Sequence, residues 1–106
     1  MGLLDKFTKK TKINTSLNTA VFTTKNVMIE NVPITRVYHS MDNSLQFFDE
    51  YSTNSNKNIM IVSLQEILEK DPSVSAAINM PVGLRAIRKN IKDKWIIEAF
   101  EEEHDE

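Results

Sequence analysis

Residues 64–88 read LQEILEKDPSVSAAINMPVGLRAIR, and their interpretation decides the fold. Leu64, Ile67 and Leu68 recur at the spacing that puts apolar side chains on one face of a helix. Ser63 stands just before them and Glu66 three residues on. That is the capping-box pattern, in which each side chain satisfies an orphan backbone donor of the helix start. The residue ahead of a proline avoids the α region, so Pro72 ends this helix near Lys70. Asp71 can then cap a second helix, with Pro72 at its first position, where a missing N–H costs nothing. Val74, Ala77 and Ile78 form its inner stripe, Asn79 suits the C-terminal cap, and Pro81 blocks continuation. Two consecutive helices are therefore expected, at about 63–70 and 72–79. VGLRAIR reads as a strand in which Gly83 permits a special backbone angle. The prolines make a corner that wraps two helices around one core.

On the N-terminal side, IMIV at 59–62 is an unbroken apolar run, the pattern of a central strand covered on both faces. VPITRVYHS at 32–40 alternates, with Ile34, Arg36 and Tyr38 facing one way and Thr35, Val37 and His39 the other. SLQFFDE at 44–50 is a second strand. MDNS at 41–44 supplies Asp and Asn, which bond their own backbone in turns, so the two strands form a hairpin. Phe47 and Phe48 must point to opposite faces; one belongs to the core, and the other needs a helix, the N-terminal segment or a partner to cover it. TAVFT at 19–23 is a short β-type run. TKNVMIEN at 24–31 reads as one helical turn capped by Thr23 or Thr24, with a continued strand as the alternative. Towards the C-terminus, KNIKD at 89–93 is a polar turn. KWIIEAF at 94–100 is a last strand with Trp95, Ile97 and Ala99 on one face, completing a second hairpin.

The expected class is thus α+β, a mostly antiparallel sheet of hairpins with the two short helices packed on it. Residues 19–100 form the single domain. Residues 1–18 are a flexible basic segment with Lys6, Lys9, Lys10 and Lys12 against Asp5, and residues 101–106 an acidic tail. YSTNSNKN at 51–58 is a polar loop and a candidate contact surface.

Composition removes several kinds of chemistry. The 106 residues include no Cys and two Gly, which excludes disulfides, thiolate metal sites, Cys nucleophiles and Gly-rich phosphate loops. No apolar stretch reaches the roughly 20 residues needed to cross a bilayer, so no membrane role is expected. The first residues lack a signal-peptide pattern, and Lys6 stands where a myristoylation signal wants Ser or Thr; cytoplasmic residence is expected. Net charge is −2, and the acidic end reads either as a solvated tail or as a lure for a basic partner. Nucleic acid is not expected, because only the first dozen residues supply a basic patch. The histidines, His39 and His104, show no metal-ligand spacing, and no nucleophile is placed by a motif. No cofactor, metal or catalytic residue is expected. The contact candidates lie around the first hairpin: the amphipathic rings of Tyr38 and Tyr51, with His39, Asp42, Asp49 and Glu50 beside them.

In order, PITRVYHSMDNSLQFFDEY, IMIVSLQEILEKDPSV and MPVGLRAIR resemble the bacterial immunity protein 33 family of polymorphic toxin systems. The resemblance rests on Pro33, Tyr38, Asp42, Asn43, Phe47, Phe48, Asp49, Glu50 and Tyr51, then on Asp71, Pro72, Ser73, Pro81 and Gly83. It spans roughly residues 20–90. The chain has His39 where that pattern has Arg, Leu45 where it has Trp, and no Gly after the two phenylalanines. The resemblance implies a small cytoplasmic protein that binds and neutralises a cognate toxin without catalysis. A small regulatory or interaction module in another bacterial complex is the alternative reading.

Overall fold

The computed structural model describes residues 13, 15–51 and 58–100. The expected basic segment falls mostly outside them, as do the acidic tail and the middle of the 51–58 loop. The chain is α+β, as its patterning requires. Ten elements follow in order: β1 (Ala20–Thr24), α1 (Lys25–Met28), β2 (Arg36–His39), β3 (Leu45–Phe48), β4 (Ile59–Ser63), α2 (Leu64–Lys70), a 3-10 turn (Pro72–Val74), α3 (Ser75–Ile78), β5 (Leu84–Ile87) and β6 (Ile96–Ala99). The six strands form one sheet in the order β4-β1-β3-β2-β5-β6. Every pairing is antiparallel except β1 with β3.

The local signals act as their chemistry demands. Ser63 Oγ accepts from Glu66 N at 3.1 Å while Glu66 Oε1 accepts from Ser63 N at 2.8 Å, closing the capping box of α2. Such a cap contributes about 1 kcal/mol. Asp71 Oδ1 accepts from Ser73 N at 3.0 Å and starts the 3-10 turn with Pro72 in its first position. The second helix is therefore a 3-10 turn run into α3 rather than a continuous α-helix, and Val74, Ala77 and Ile78 are its buried stripe. Thr24 caps α1 by accepting from Val27 N, so TKNVMIEN holds a helical turn and not a longer strand. In the β2–β3 turn, Asp42 Oδ1 accepts from Ser44 N, and Asn43 takes a positive φ of 74°. Gly83 has φ 87°, a conformation that L side chains rarely adopt, as it turns the chain into β5.

One face of the sheet carries the core. Val21, Val37, Leu45, Phe47 and Ala86 project to it and are buried under Val27 of α1, Leu64 and Ile67 of α2, Val74, and Ala77 and Ile78 of α3. Thr23 shares that face and its hydroxyl donates to Phe47 O at 2.8 Å. Thr35 is also buried, and its hydroxyl has no hydrogen-bond partner among the described residues.

The Asp71-Pro72 corner is tied to the sheet by a buried ion pair. Arg88, just past β5, donates from Nη2 to Asp71 Oδ2 at 2.8 Å. Its other donors reach Ile34 O (3.0 Å) and Ser73 Oγ (2.8 Å), and its guanidinium lies over the Trp95 ring at 4.0 Å. Burial pulls the Arg88 pKa down, partly offset by the Asp71 carboxylate. An Arg fork with this many acceptors can be buried without an orphan charge.

Two expectations are corrected. The IMIV run forms β4, which is an edge strand rather than a central one, and its Ile61 is 65% exposed. The run reads as doubly covered because Met60 and Val62 face inward while Ile59 and Ile61 lie on the other side, which is also apolar. Ile34 does not share a side with Arg36 and Tyr38. It precedes β2, is fully buried, and belongs to the core.

Candidate functional site

The face of the sheet opposite the core carries no helix among the described residues. Strand pairing lines up Ile61, Phe22, Gln46, Tyr38, Arg85 and Glu98 as one row across all six strands. A second row sets Phe48, Arg36, Ile87 and Ile96 side by side. Regular alternation produces this face, because the residue next along the strand from an inward one must point out. Phe22, Phe48 and Tyr38 are half-buried rather than covered. Tyr38 sits at the centre, with Phe48 at 6.1 Å between ring centroids and Phe100 edge-on at 5.1 Å. Beside it, Phe22, Gln46, Phe48 and Ile59 line a shallow depression of about 400 Å³.

The face is amphipathic. Arg85 donates to Glu98 at 2.8 Å and is held charged by it. The Arg36 side chain, by contrast, has no ion-pair or hydrogen-bond partner among the described residues, although Arg36 stands between Phe48 and Ile87. A half-buried arginine beside aromatic rings is suited to receive a carboxylate or carbonyl. Sequence reading placed Arg36 with Tyr38 but did not select it. The signal that could have done so is its position two residues before Tyr38 on an alternating strand.

The six residues selected from sequence do not form one patch. Tyr38 lies on the open face. His39 projects to the core side at the far end of β2, where its ring nitrogens are 2.7 Å from Met80 O and 2.7 Å from Asn43 Oδ1. Asp42 is exposed in the adjacent turn, and the backbone N–H of Ser44 lowers its pKa from the ordinary carboxylate value. Glu50 and Tyr51 are exposed at the opposite end of the hairpin. Asp49 is fully buried: Oδ2 accepts from the Thr24 hydroxyl at 2.9 Å and Oδ1 from Tyr51 N at 2.7 Å. Its carboxylate therefore ties β3 to the start of α1 and is not presented to a partner. An Asp that ends a strand next to a Thr cap cannot be told from a surface acid by its neighbours in sequence.

Among the described residues no group of three His, Cys, Asp or Glu side chains is placed to hold a metal ion. No helix of the described chain is long and apolar enough to cross a membrane. Family models, curated proteins and solved structures were compared with the chain, and none matches it.

Proposed function

We propose that this chain is a non-catalytic binding protein that captures and neutralises a cognate bacterial toxin in the cytoplasm, with the open sheet face around Tyr38 as its contact surface. The observation that carries the binding role is the face without a helix among the described residues, where the half-buried rings of Phe22, Phe48 and Tyr38 line up and Arg36, beside Phe48 and Tyr38, has no side-chain partner among the described residues. Aromatic and Arg side chains dominate the energetics of protein interfaces because they bury much area and keep a polar tip. Toxin neutralisation rests on the resemblance of the hairpin and the Asp71-Pro72-Ser73 corner to immunity proteins. The partner's complement is an apolar patch with an acceptor for Arg36.

The test is a tagged pull-down from the native bacterium with mass spectrometry of whatever co-elutes stoichiometrically. The expected result is one toxin-domain partner that is lethal when produced alone, and its capture is lost in Tyr38→Ala and in Phe48→Ser. A housekeeping complex would overturn neutralisation in favour of a regulatory module. Capture that survives both substitutions would overturn the open face.

A further inference from the structure

We propose that two copies of this chain pair antiparallel along their β6 strands, about a two-fold axis at Ile96, to make one continuous twelve-stranded sheet from two six-stranded ones. The inference concerns a different surface from the toxin-binding face and does not depend on it.

β6 ends the sheet, and all four of its residues are exposed, Ile96 by 65% and Ile97 by 46%. Which of its backbone groups are spare follows from one bond. Phe100 N donates to Gly83 O at 3.2 Å, so the even-numbered residues of this strand bond to β5. The N–H and C=O of Ile97 and Ala99 then face the empty side. A row of such groups is a template for another strand. The opposite edge is less open. At β4, Ser63 N is already spent on Glu66 and the strand runs directly into α2.

Charge selects the second copy as occupant and fixes the register. A two-fold axis perpendicular to the sheet keeps side chains on their own faces, so only residues of equal parity can stand opposite each other. With Ile96 opposite itself, Lys94 of each copy faces Glu98 of the other, and Trp95 faces Ile97. Lys94 has no ion-pair partner among the described residues, and Glu98 has Arg85 alone. With Ile97 opposite itself, Ile96 faces the charge of Glu98. With Glu98 opposite itself, two carboxylates collide. Cross-strand opposite charges stabilise and like charges destabilise. Only the first register joins apolar and ionic pairs without a conflict. It also leaves both open faces on the same side of the joined sheet.

Sedimentation velocity of the full chain over a concentration series tests the proposal. The expected result is a mass that doubles as concentration rises. Ile97→Pro removes an outward N–H and leaves the bonds to β5 intact, so it is expected to give a folded monomer by circular dichroism. Lys94→Glu and Glu98→Lys each place like charges in both pairs and are expected to weaken association about tenfold. An equimolar mixture of the two restores opposite charges at both positions, and its dimer is expected to re-form. A wild-type chain that stays monomeric throughout, or an Ile97→Pro chain that still dimerises, would overturn the proposal. A mixture no better than its components would overturn the register.

Discussion

Phe47 and Phe48 are neighbours in the chain and lie on opposite faces of one strand. Phe47 is wholly buried against α1, α2 and α3, whereas Phe48 is half-exposed beside Tyr38 with no helix above it. The covered face is filled by Phe47 among branched aliphatic side chains and is bordered by buried polar contacts such as Thr23 to Phe47 O and Asp71 to Arg88. The open face carries rings and arginines spaced by the same two-residue repeat. The period of the strands is identical on both sides, so the difference lies in what packs there. Every described helix has gone to one side. A sheet so built is stable from one face and available for recognition on the other.

That contrast can be broken from the covered side first. Phe47→Ala is expected to cost about 3–5 kcal/mol in urea denaturation, because the lost burial is compounded by a cavity under three helices. A cost below about 1 kcal/mol would mean the two faces are energetically alike. Asp71→Ala should cost about 3–5 kcal/mol by the same measurement, since it strands the Arg88 guanidinium in the core. Arg88→Met in that background should recover part of the loss, and no recovery would count against an uncompensated charge as the cause. Thr35→Val sharpens the picture in the other direction. It deletes a buried hydroxyl with no partner among the described residues, so stability should rise by roughly 1 kcal/mol. A loss would show that the hydroxyl is satisfied in solution. On the open face, Phe48→Ser should cost about 1–2 kcal/mol, less than Phe47→Ala, because the ring is only partly buried and no helix among the described residues closes over it. Its effect belongs in binding, and a large drop in the denaturation midpoint would place Phe48 in the core.

Much of this was legible in the chain itself, and the reason is locality. The capping box at Ser63 and Glu66, the Asp71-Pro72 corner and the Asp42-Asn43 turn each act over two to four residues, so their chemistry is written next to their effect. The opposed fates of Phe47 and Phe48 follow from strand period alone. What was not legible is pairing at a distance. Asp71 and Arg88 are 17 residues apart, and nothing near either names the other. Asp49 reads as a surface acid until Thr24, 25 residues away, is brought against it. The IMIV run reads as central because apolarity on two faces has two causes, burial by helices or exposure on an apolar open face. The open face splits the six contact candidates for a related reason. A hairpin brings its two strands together but holds its turn and its free ends apart.

The position of β1 has a consequence for how the chain is made. β1 leaves the ribosome before the other strands, yet its neighbours are β3 and β4, whose residues lie about 25 and 40 positions later. The β2–β3 and β5–β6 hairpins close over short loops and can form as soon as they are synthesised. β1 has to wait for β4. Contacts between distant residues are reached late because loop closure must be met before they return anything. Pulse-labelled hydrogen exchange during refolding is expected to protect the Tyr38 and Gln46 amides, which bond across the β2–β3 hairpin, before Val21, and the reverse order would show that β1 nucleates the sheet. The first of the six strands to be made is, on this topology, flanked on both sides only once the fourth arrives, and a nascent chain halted before Ile59 leaves β1 unpaired on the side that β4 will fill.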